Sequence, residues 1–233
     1  HNGRVMVDLL KAEGVTCYFT PIAQETRRNM IVTTTKTRTQ TVLNAKGPTI
    51  SPQEWQAFLA HLNVLDLRHA YRQIVTLVQN RGARAVLDAD GSALRYGLQA
   101  KPFATKPNVN ELRRLVGKPL QREPDLLQAA SRLNAQGIDV VMVSRGRKGL
   151  LMVDRLDRFR AVPPKVMVRS TVGAGDSTVA GFVFLHAAGK PLEDCVRFAT
   201  ASGTAATLAP GNELCRLRDV QRLLPKVKVE RLQ

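Results

Sequence analysis

The chain has 233 residues, of which 44% are hydrophobic and 23% are charged. This composition excludes disordered and fibrous proteins and allows one large α/β domain or two small ones. Uncharged stretches in its apolar C-terminal third, such as Ser177 to Gly189, are shorter than the roughly 20 residues of a membrane-spanning helix. The net charge of +16 is spread along the whole chain, so we expect it to attract small anionic substrates rather than nucleic acid or a membrane.

The cysteines are the next constraint on the class of protein. Cys17, Cys195 and Cys215 are odd in number and far apart, and the sequence contains no CxxC pair. This spacing argues against a disulfide framework and against a zinc site. We therefore expect a protein of the reducing cytoplasm.

The first quarter of the chain is predicted to hold helices at its two ends with strands between them. In chain order we expect a helix over Arg4–Glu13, a strand over Thr16–Ile22, two exposed strands within Met30–Val42 that turn near Lys36–Arg38, and a helix running to His61. Ser51 and Glu54 have the spacing of a capping box around Pro52, which predicts where this last helix begins.

Helices and short hydrophobic strands alternate regularly after residue 69. The predicted helices are Ala70–Asn80, Asn110–Val116, Asp125–Gln136, Ser177–Gly189, Leu192–Leu208 and Leu217–Leu224; the predicted strands are Ala83–Asp88, Phe103–Lys106, Val140–Val143, Leu150–Asp154 and Arg158–Val162. This alternation is typical of a parallel sheet covered by helices on both faces. The last two strands are expected to form an antiparallel edge.

The stretch STVGAGDSTVAG, Ser170 to Gly181, is the most informative segment. An extended entry meets Gly173 and Gly175, and Asp176 follows at the start of an apolar helix. The glycines allow a tight turn, and the N-terminus of the helix favours a bound anion. Asp176 could then accept a proton from a hydroxyl group during phosphoryl transfer. The alternative is an ordinary turn in which Asp176 caps the helix; no Walker A or dinucleotide motif occurs.

Two further segments have both a functional and a structural interpretation. In KPNVNEL, Asn108 and Glu111 share one side of a first helical turn and could hold a hydrated Mg²⁺, or could form a capping box. In SRGRKG, the residues Ser144, Gly146 and Gly149 form a turn between strands, which alone is a weak signal.

Taken together and in this order, the three segments resemble the PfkB (ribokinase-like) carbohydrate kinases. The phosphofructokinase branch is the most similar, on the strength of ETRRN at Glu25 to Asn29, PPKVMVRSTVGAGD at Pro163 to Asp176, and RFATASGTAATLAPGNELC at Arg197 to Cys215. The resemblance implies a ribokinase-like three-layer α/β fold with a mostly parallel sheet, helices on both faces and a small β lid. It implies one domain over residues 1–233, with residues 30–43 as the lid strands.

The resemblance also implies roles for individual residues. Asp176 would be the general base, and Gly173, Ala174 and Gly175 would form the anion hole for the γ-phosphoryl group. The nucleotide site would contain Lys106, Asn108, Glu111, Ser144, Gly146 and Gly149, with Asn108 and Glu111 organising Mg²⁺ and the phosphates of ATP. Arg27 and Asn29 would bind the sugar phosphate. Carbonyl groups around Ser170, Val172, Ala206 and Gly211 match the region where relatives bind a monovalent cation such as K⁺.

The implied reaction is transfer of the γ-phosphoryl group of ATP to a phosphorylated ketohexose, giving fructose 1,6-bisphosphate from fructose 6-phosphate or fructose 1-phosphate. Tagatose 6-phosphate or another sugar is an alternative acceptor, and a noncatalytic nucleotide-binding relative is an alternative of another class. The implied assembly is a homodimer formed through the lid.

The sequence departs from the family pattern at three places. Two segments of the pattern are not found: an aspartate-bearing first strand followed by GGxGxN, and an SGSLPPG loop between His61 and Ala70. From these departures we expect the sequence to omit parts of a longer protein. Arg145 also stands where relatives carry an apolar residue.

Overall fold

The computed structural model describes residues 2–14, 17, 19–27, 29–34, 39–62, 70–211 and 213–232. The chain divides into two compact units, His1–Arg68 and His69–Gln233, which are described separately below. The predicted single domain over residues 1–233 stays a prediction. Among the described residues, no helix combines the length and apolar character needed to span a bilayer.

In its described residues, the first unit contains two helices and one pair of antiparallel strands. Its elements are α1 (Asn2–Ala12), β1 (Asn29–Thr34), β2 (Thr39–Asn44) and α2 (Pro52–Leu62). The strands pair antiparallel with Asn29 opposite Asn44, as predicted; the expected turn near Lys36–Arg38 falls outside the described residues. The predicted strand Thr16–Ile22 is wrong in its described part, because Cys17 and residues 19–22 are irregular. Pro21 lacks the N–H group that a strand ladder needs.

Helix α2 begins with the predicted capping box. The Ser51 backbone N–H donates to Glu54 Oε2 at 2.7 Å, and the Glu54 N–H donates to Ser51 Oγ at 3.2 Å. A backbone hydrogen bond from Ala23, followed by those with Ser51, lowers the pKa of Glu54. The box therefore also ties the preceding loop to the helix.

The second unit alternates helices and strands around one sheet. In chain order its elements are α3 (Ala70–Asn80), β3 (Val86–Leu87), α4 (Gly91–Leu98), β4 (Ala104–Thr105), α5 (Val109–Val116), α6 (Glu123–Ala135), β5 (Val140–Ser144), β6 (Leu150–Val153), β7 (Arg158–Val162), α7 (Ala174–Ala187), α8 (Leu192–Ala206), α9 (Leu217–Leu223) and β8 (Lys228–Leu232). The strand order is β3-β4-β5-β6-β7-β8. The pairings β3–β4 and β4–β5 are parallel, and the remaining ones are antiparallel. The sheet is therefore mixed, with its parallel strands on one side.

Side chains of the central strands alternate between two hydrophobic cores. Met142 and Met152 point into a core shared with α7, α8 and α9. Val141 and Leu151 point into a core shared with α5 and α6. All four side chains are fully buried, as expected for a sheet covered on both faces. The predicted three-layer arrangement is confirmed.

Two elements of the second unit were not predicted from the sequence. Helix α4 has glycines at its first residue and near its end, Gly91 and Gly97, which weaken a helical pattern. Strand β8 is an edge strand with the charged sequence KVERL, so it lacks the apolar run by which the buried strands were recognised.

Candidate functional site

Charged and polar side chains gather where the parallel strands end. Asp88 directly follows β3 and Lys106 directly follows β4. The Lys106 side chain is only 5% exposed, and its Nζ lies 3.2 Å from Asp88 Oδ2. Because the carboxyl ends of parallel strands are the usual place for ligands in open α/β sheets, this ion pair marks a candidate site.

The first turn of α7 lies against this ion pair. A Cβ atom at Gly175 would approach Lys106 Nζ to 3.2 Å, so glycine allows the cation to come close to the helix backbone. The N-cap residue Gly173 has a left-handed φ of 73°, and no described side chain caps the helix. Ala174 begins the helix, and Asp176 is exposed in its first turn. The helix N-terminus thus combines a buried cation, main-chain donors and an accessible carboxylate.

Asn108 and Glu111 form the capping box that the sequence offered as an alternative. Asn108 Oδ1 accepts from the backbone N–H groups of Asn110 at 2.9 Å and of Glu111 at 3.0 Å. Glu111 Oε2 accepts from the Asn108 N–H at 2.7 Å, and Oε1 accepts from Asn108 Nδ2. These two side chains therefore begin α5.

The capping box of Asn108 and Glu111 also limits how these residues could bind a hydrated Mg²⁺. Within the described residues, no group of three or more His, Cys, Asp or Glu side chains could hold a metal ion. Each carboxylate oxygen of Glu111 accepts one hydrogen bond and keeps further acceptor capacity. Mg²⁺ usually keeps several waters and takes few protein ligands beside phosphates. The residues present fit an ion held through water and not one held in a protein cage.

The segment Ser144 to Gly149 is a closed turn between β5 and β6. Ser144 is attached to the preceding motif, because its N–H donates to the Pro107 carbonyl at 3.1 Å. Residues Gly146–Lys148 form one 3₁₀ turn. A Cβ atom at Gly149 would lie 1.9 Å from the Ala161 carbonyl oxygen, so close packing against β7 requires glycine there. The turn places Ser144 beside Asn108 across a parallel bridge.

The residues predicted to surround a monovalent cation lie on the segment before α7, at the last residue of α8 and on the loop that follows α8. The buried Ser170 hydroxyl donates to the Gly211 carbonyl and accepts from the Val172 N–H at 3.1 Å. The Ser170 N–H also points to the carbonyl of Thr207, the residue after Ala206, at 3.4 Å. The structure thus brings Ser170, Val172, Ala206 and Gly211 into one region, where the Gly211 carbonyl already accepts one hydrogen bond.

The two predicted sugar-phosphate residues belong to the first unit. Arg27 is exposed in an irregular segment, and its Cδ lies 3.9 Å from where a Cβ atom on Gly47 would stand. Asn29 is the first residue of β1. Their role at a substrate stays a prediction.

Asp88 is the residue of this site that the sequence reasoning missed. It is the last residue of the predicted strand Ala83–Asp88 and the first residue after the observed strand β3, and its carboxylate is the partner of Lys106. The available signal was its position, because side chains directly after parallel strands face the ligand edge of the sheet.

Comparison with known proteins identifies the class to which this fold and site belong. Residues 1–218 match the pattern of the pfkB family carbohydrate kinases, and the chain belongs to this family. It is a phosphotransferase that acts on an alcohol group.

The relatives narrow this class. The 1-phosphofructokinase of Bacillus subtilis is 33% identical over 246 aligned residues, which cover 99% of this chain and 80% of that protein. The ATP-dependent 6-phosphofructokinase isozyme 2 of Escherichia coli is 39% identical over 153 residues, covering 65% of this chain and 50% of its own. The crystal structure of Escherichia coli phosphofructokinase-2 in complex with potassium superposes with a TM-score of 0.88 at 30% identity, covering 96% of this chain and 78% of that one. These similarities confirm the expected ribokinase-like fold and place the chain among the phosphofructokinase-type sugar kinases.

Proposed function

We propose that this protein transfers the γ-phosphoryl group of ATP to a hydroxyl of fructose 6-phosphate or fructose 1-phosphate and so forms fructose 1,6-bisphosphate. The observation that carries the proposal is the buried Lys106 against Gly175 in the first turn of α7, where the following residue is the exposed Asp176. A phosphoryl group placed there would meet positive charge and a base together. The activities named for the bacterial relatives support the same substrates.

Asp176 is the general base in this proposal. Its carboxylate takes the proton from the acceptor hydroxyl as that oxygen attacks the γ-phosphorus and the bond to ADP breaks. The N–H groups of the turn Gly173, Ala174 and Gly175 stabilise the charge on the transferring phosphoryl oxygens. The ammonium group of Lys106, which lies against Gly175, adds a fixed positive charge at this turn. Phosphoryl transfer depends mainly on such positioning and electrostatics.

The nucleotide would lie along the carboxyl edge of the parallel strands. When bound, Mg²⁺ would neutralise charge on the phosphates. Asn108 and Glu111, which cap α5, would hold that ion through water. Ser144, Gly146 and Gly149 line the pocket on the side of β5. Lys106 contacts the phosphates.

A monovalent cation is proposed for the region formed by Ser170, Val172, the end of α8 at Ala206, and Gly211. Main-chain carbonyls are suitable ligands for a large cation with weak hydration. The support from comparison is that Escherichia coli phosphofructokinase-2 was crystallised in complex with potassium.

Recognition of the sugar is assigned to the first unit. Arg27 has a planar guanidinium that can form bidentate hydrogen bonds to a phosphate, and Asn29 would contact a hydroxyl.

The strands within residues 30–43 would act as the lid and as the contact in a homodimer. We place the enzyme in the cytoplasm. A tetrameric inhibited form is known for Escherichia coli phosphofructokinase-2, so size-exclusion chromatography with light scattering should accompany the assays.

The test is a coupled assay of ADP release with Mg²⁺-ATP and one sugar at a time: fructose 6-phosphate, fructose 1-phosphate or tagatose 6-phosphate, with a sugar-free blank. Turnover with either fructose phosphate supports the proposal and names the acceptor. Turnover with tagatose 6-phosphate alone contradicts the proposed acceptor. Nucleotide binding without turnover on any sugar would favour the noncatalytic alternative.

A further inference from the structure

Arg145 is buried beneath the turn that joins β5 and β6. Its side chain is 6% exposed, although the residue lies in the connection between two central strands of the sheet. Its Nη1 lies 2.5 Å from Glu123 Oε2, and its Nη2 donates to the Lys148 carbonyl at 2.9 Å. One guanidinium thus joins the start of α6 to the last residue of the 3₁₀ turn.

The ion pair is part of a longer network. Glu123 Oε1 lies 3.0 Å from Arg160 Nη1 on β7, and Arg160 Nη2 pairs with Glu230 on β8. Partial burial raises the pKa of Glu123, but the hydrogen bonds and charges of Arg145 and Arg160 outweigh this and hold the pKa below its usual range. Glu123 therefore stays ionised, and the guanidinium of Arg145 is anchored to two elements of the fold.

The outer part of the turn has few other supports. A Cβ atom added to Gly146 would meet no atom within 4 Å, and Arg147 and Lys148 are exposed. The backbone closes on itself through Arg145 N–H to Gly149 O at 2.8 Å and Lys148 N–H to Arg145 O at 3.2 Å. The hydrogen bond from Arg145 Nη2 to the Lys148 carbonyl adds a side-chain contact that holds the turn.

A role limited to packing would not require this arrangement. The buried Arg145 Nε has no hydrogen-bond partner among the described residues, and a buried donor without a partner destabilises a fold. An apolar side chain of similar length would avoid that penalty. What an apolar side chain could not do is hold the Lys148 carbonyl while it is itself held by Glu123.

We propose that Arg145 is a positioning residue for the nucleotide, with Glu123 as its anchor. By fixing the Lys148 carbonyl it holds the 3₁₀ turn in the shape that accepts ATP, without contacting the nucleotide itself. The proposal rests on the proposed function, which places Ser144, Gly146 and Gly149 in the nucleotide pocket. It adds a buried residue outside that pocket.

The test compares Arg145→Met with the wild-type protein. We measure the Kd of Mg²⁺-ATP by titration calorimetry, and KM for ATP and kcat with the sugar phosphate that gives turnover. Loss of the anchored turn should weaken nucleotide affinity by about tenfold, the size of effect expected when one charged hydrogen bond is removed. Because the residue does not contact the reacting atoms, kcat at saturating ATP should stay within about twofold.

Two conservative variants keep the test informative if Arg145→Met does not fold. Arg145→Lys retains the charge beside Glu123 but cannot make both contacts in fork geometry, so nucleotide affinity should fall by an intermediate factor. Glu123→Gln keeps one oxygen that can accept from Arg145 but removes the charge and the second acceptor, which serves Arg160. Because the bond to Arg145 can persist, its effect on nucleotide affinity should be the smallest. Arg155→Met is the matched control, since Arg155 forms an exposed ion pair with Asp139 at 3.4 Å and should leave ATP affinity unchanged.

The outcomes separate this inference from the proposed function. Unchanged Kd and KM for ATP in every soluble variant, with a lower Tm, would overturn the positioning role and leave only a structural one. A fall in kcat at constant KM would overturn it as well. If the wild-type protein binds ATP but turns over no sugar, the proposed function fails, and the Kd series still decides the role of Arg145. If it binds no ATP, both fail.

Discussion

Helices α5 and α7 both begin at the carboxyl edge of the sheet, but their first turns are satisfied in opposite ways. At α5 the side chain of Asn108 accepts two backbone N–H groups, and Glu111 accepts the N–H of Asn108. At α7 the N-cap is Gly173, and no described side chain caps the helix. The start of α5 is closed by its own side chains, whereas the start of α7 keeps its donors for a ligand.

The difference separates two signals that look alike in the sequence. Both segments place a carboxylate in the first turn, at Glu111 and at Asp176, and both follow an extended stretch. Glu111 reaches back to its own backbone, while Asp176 is exposed beside the Gly175–Lys106 contact. An acid in a first turn is therefore a candidate base only when the turn does not use it as a cap.

The largest effect is expected at the first turn of α7, which no described side chain caps. Asp176→Asn removes the proposed base and keeps the shape of the side chain. Turnover should fall by about 10² to 10⁴-fold, as is usual when a general base is lost, while the Kd for Mg²⁺-ATP stays near the wild-type value. Steady-state kinetics together with titration calorimetry measure both quantities.

A matched control is Asp194→Asn, which changes an exposed acid in the first turn of α8. Its turnover should equal that of the wild-type protein. If Asp176→Asn also turned over normally, Asp176 would be a surface residue, and the contrast between the two helices would lose its functional meaning.

The next largest effect is expected at Lys106, whose ammonium group lies against the first turn of α7. Lys106→Met removes the charge that faces Gly175 and leaves Asp88, 32% exposed, without its partner. The loss of a charged interaction of about 1.5 to 3 kcal/mol should lower kcat/KM for ATP by roughly 10 to 100-fold. Lys190→Met, at an exposed site after α7, is the control. A drop in Tm with unaltered kcat/KM would assign the ion pair to stability alone.

Two substitutions at the start of α5 test whether the Asn108–Glu111 capping box also helps to hold Mg²⁺. Asn108→Ala removes the N-cap and should destabilise the second unit by about 1 kcal/mol, seen as a Tm lower by about 2 to 4 °C. Glu111→Gln keeps an oxygen for the Asn108 N–H but removes the charge and the acceptor for Asn108 Nδ2. It should lower Tm less than Asn108→Ala does and raise the Mg²⁺ concentration for half-maximal activity a few-fold, as expected for a water-mediated contact. An unchanged Mg²⁺ requirement would leave Glu111 as a cap only.

The parallel half of the fold and the order of its motifs follow from the sequence, since buried strands such as Val140–Ser144 are unbroken apolar runs. Strand β8 was not predictable, because an exposed edge strand carries no such run. At the site, the glycine turn before Asp176 was evident, but Asp88 gains its meaning only from its 3.2 Å contact with Lys106. A contact between residues far apart in sequence depends on the strand order, and residue spacing does not encode it.

The smallest expected effect is at the opposite end of α7, where the half-buried His186 packs against two aromatic rings. The ring of His186 lies 4.7 Å from that of Phe103 and 5.4 Å from that of Phe182. Arg84 Nη1 donates to His186 Nε2 at 2.7 Å. Burial, followed by the charge of Arg84, lowers the pKa of His186. The folded protein therefore favours the neutral ring, although a cation would suit a helix C-terminus.

The lowered pKa of His186 determines how the stability of the protein should depend on pH. Above the ordinary histidine pKa of about 6.5 the ring is neutral in both the folded and the unfolded chain, and His186 adds no pH dependence. As the pH falls below this value the unfolded chain binds the proton first, so stability is lost until the lowered pKa of the folded state is reached. Urea midpoints measured between pH 7.5 and about pH 5 should fall for the wild-type protein and fall less for His186→Gln, which stays neutral and still accepts from Arg84. Parallel curves for the two proteins would show that His186 titrates normally and that this end of α7 is more open than its packing indicates.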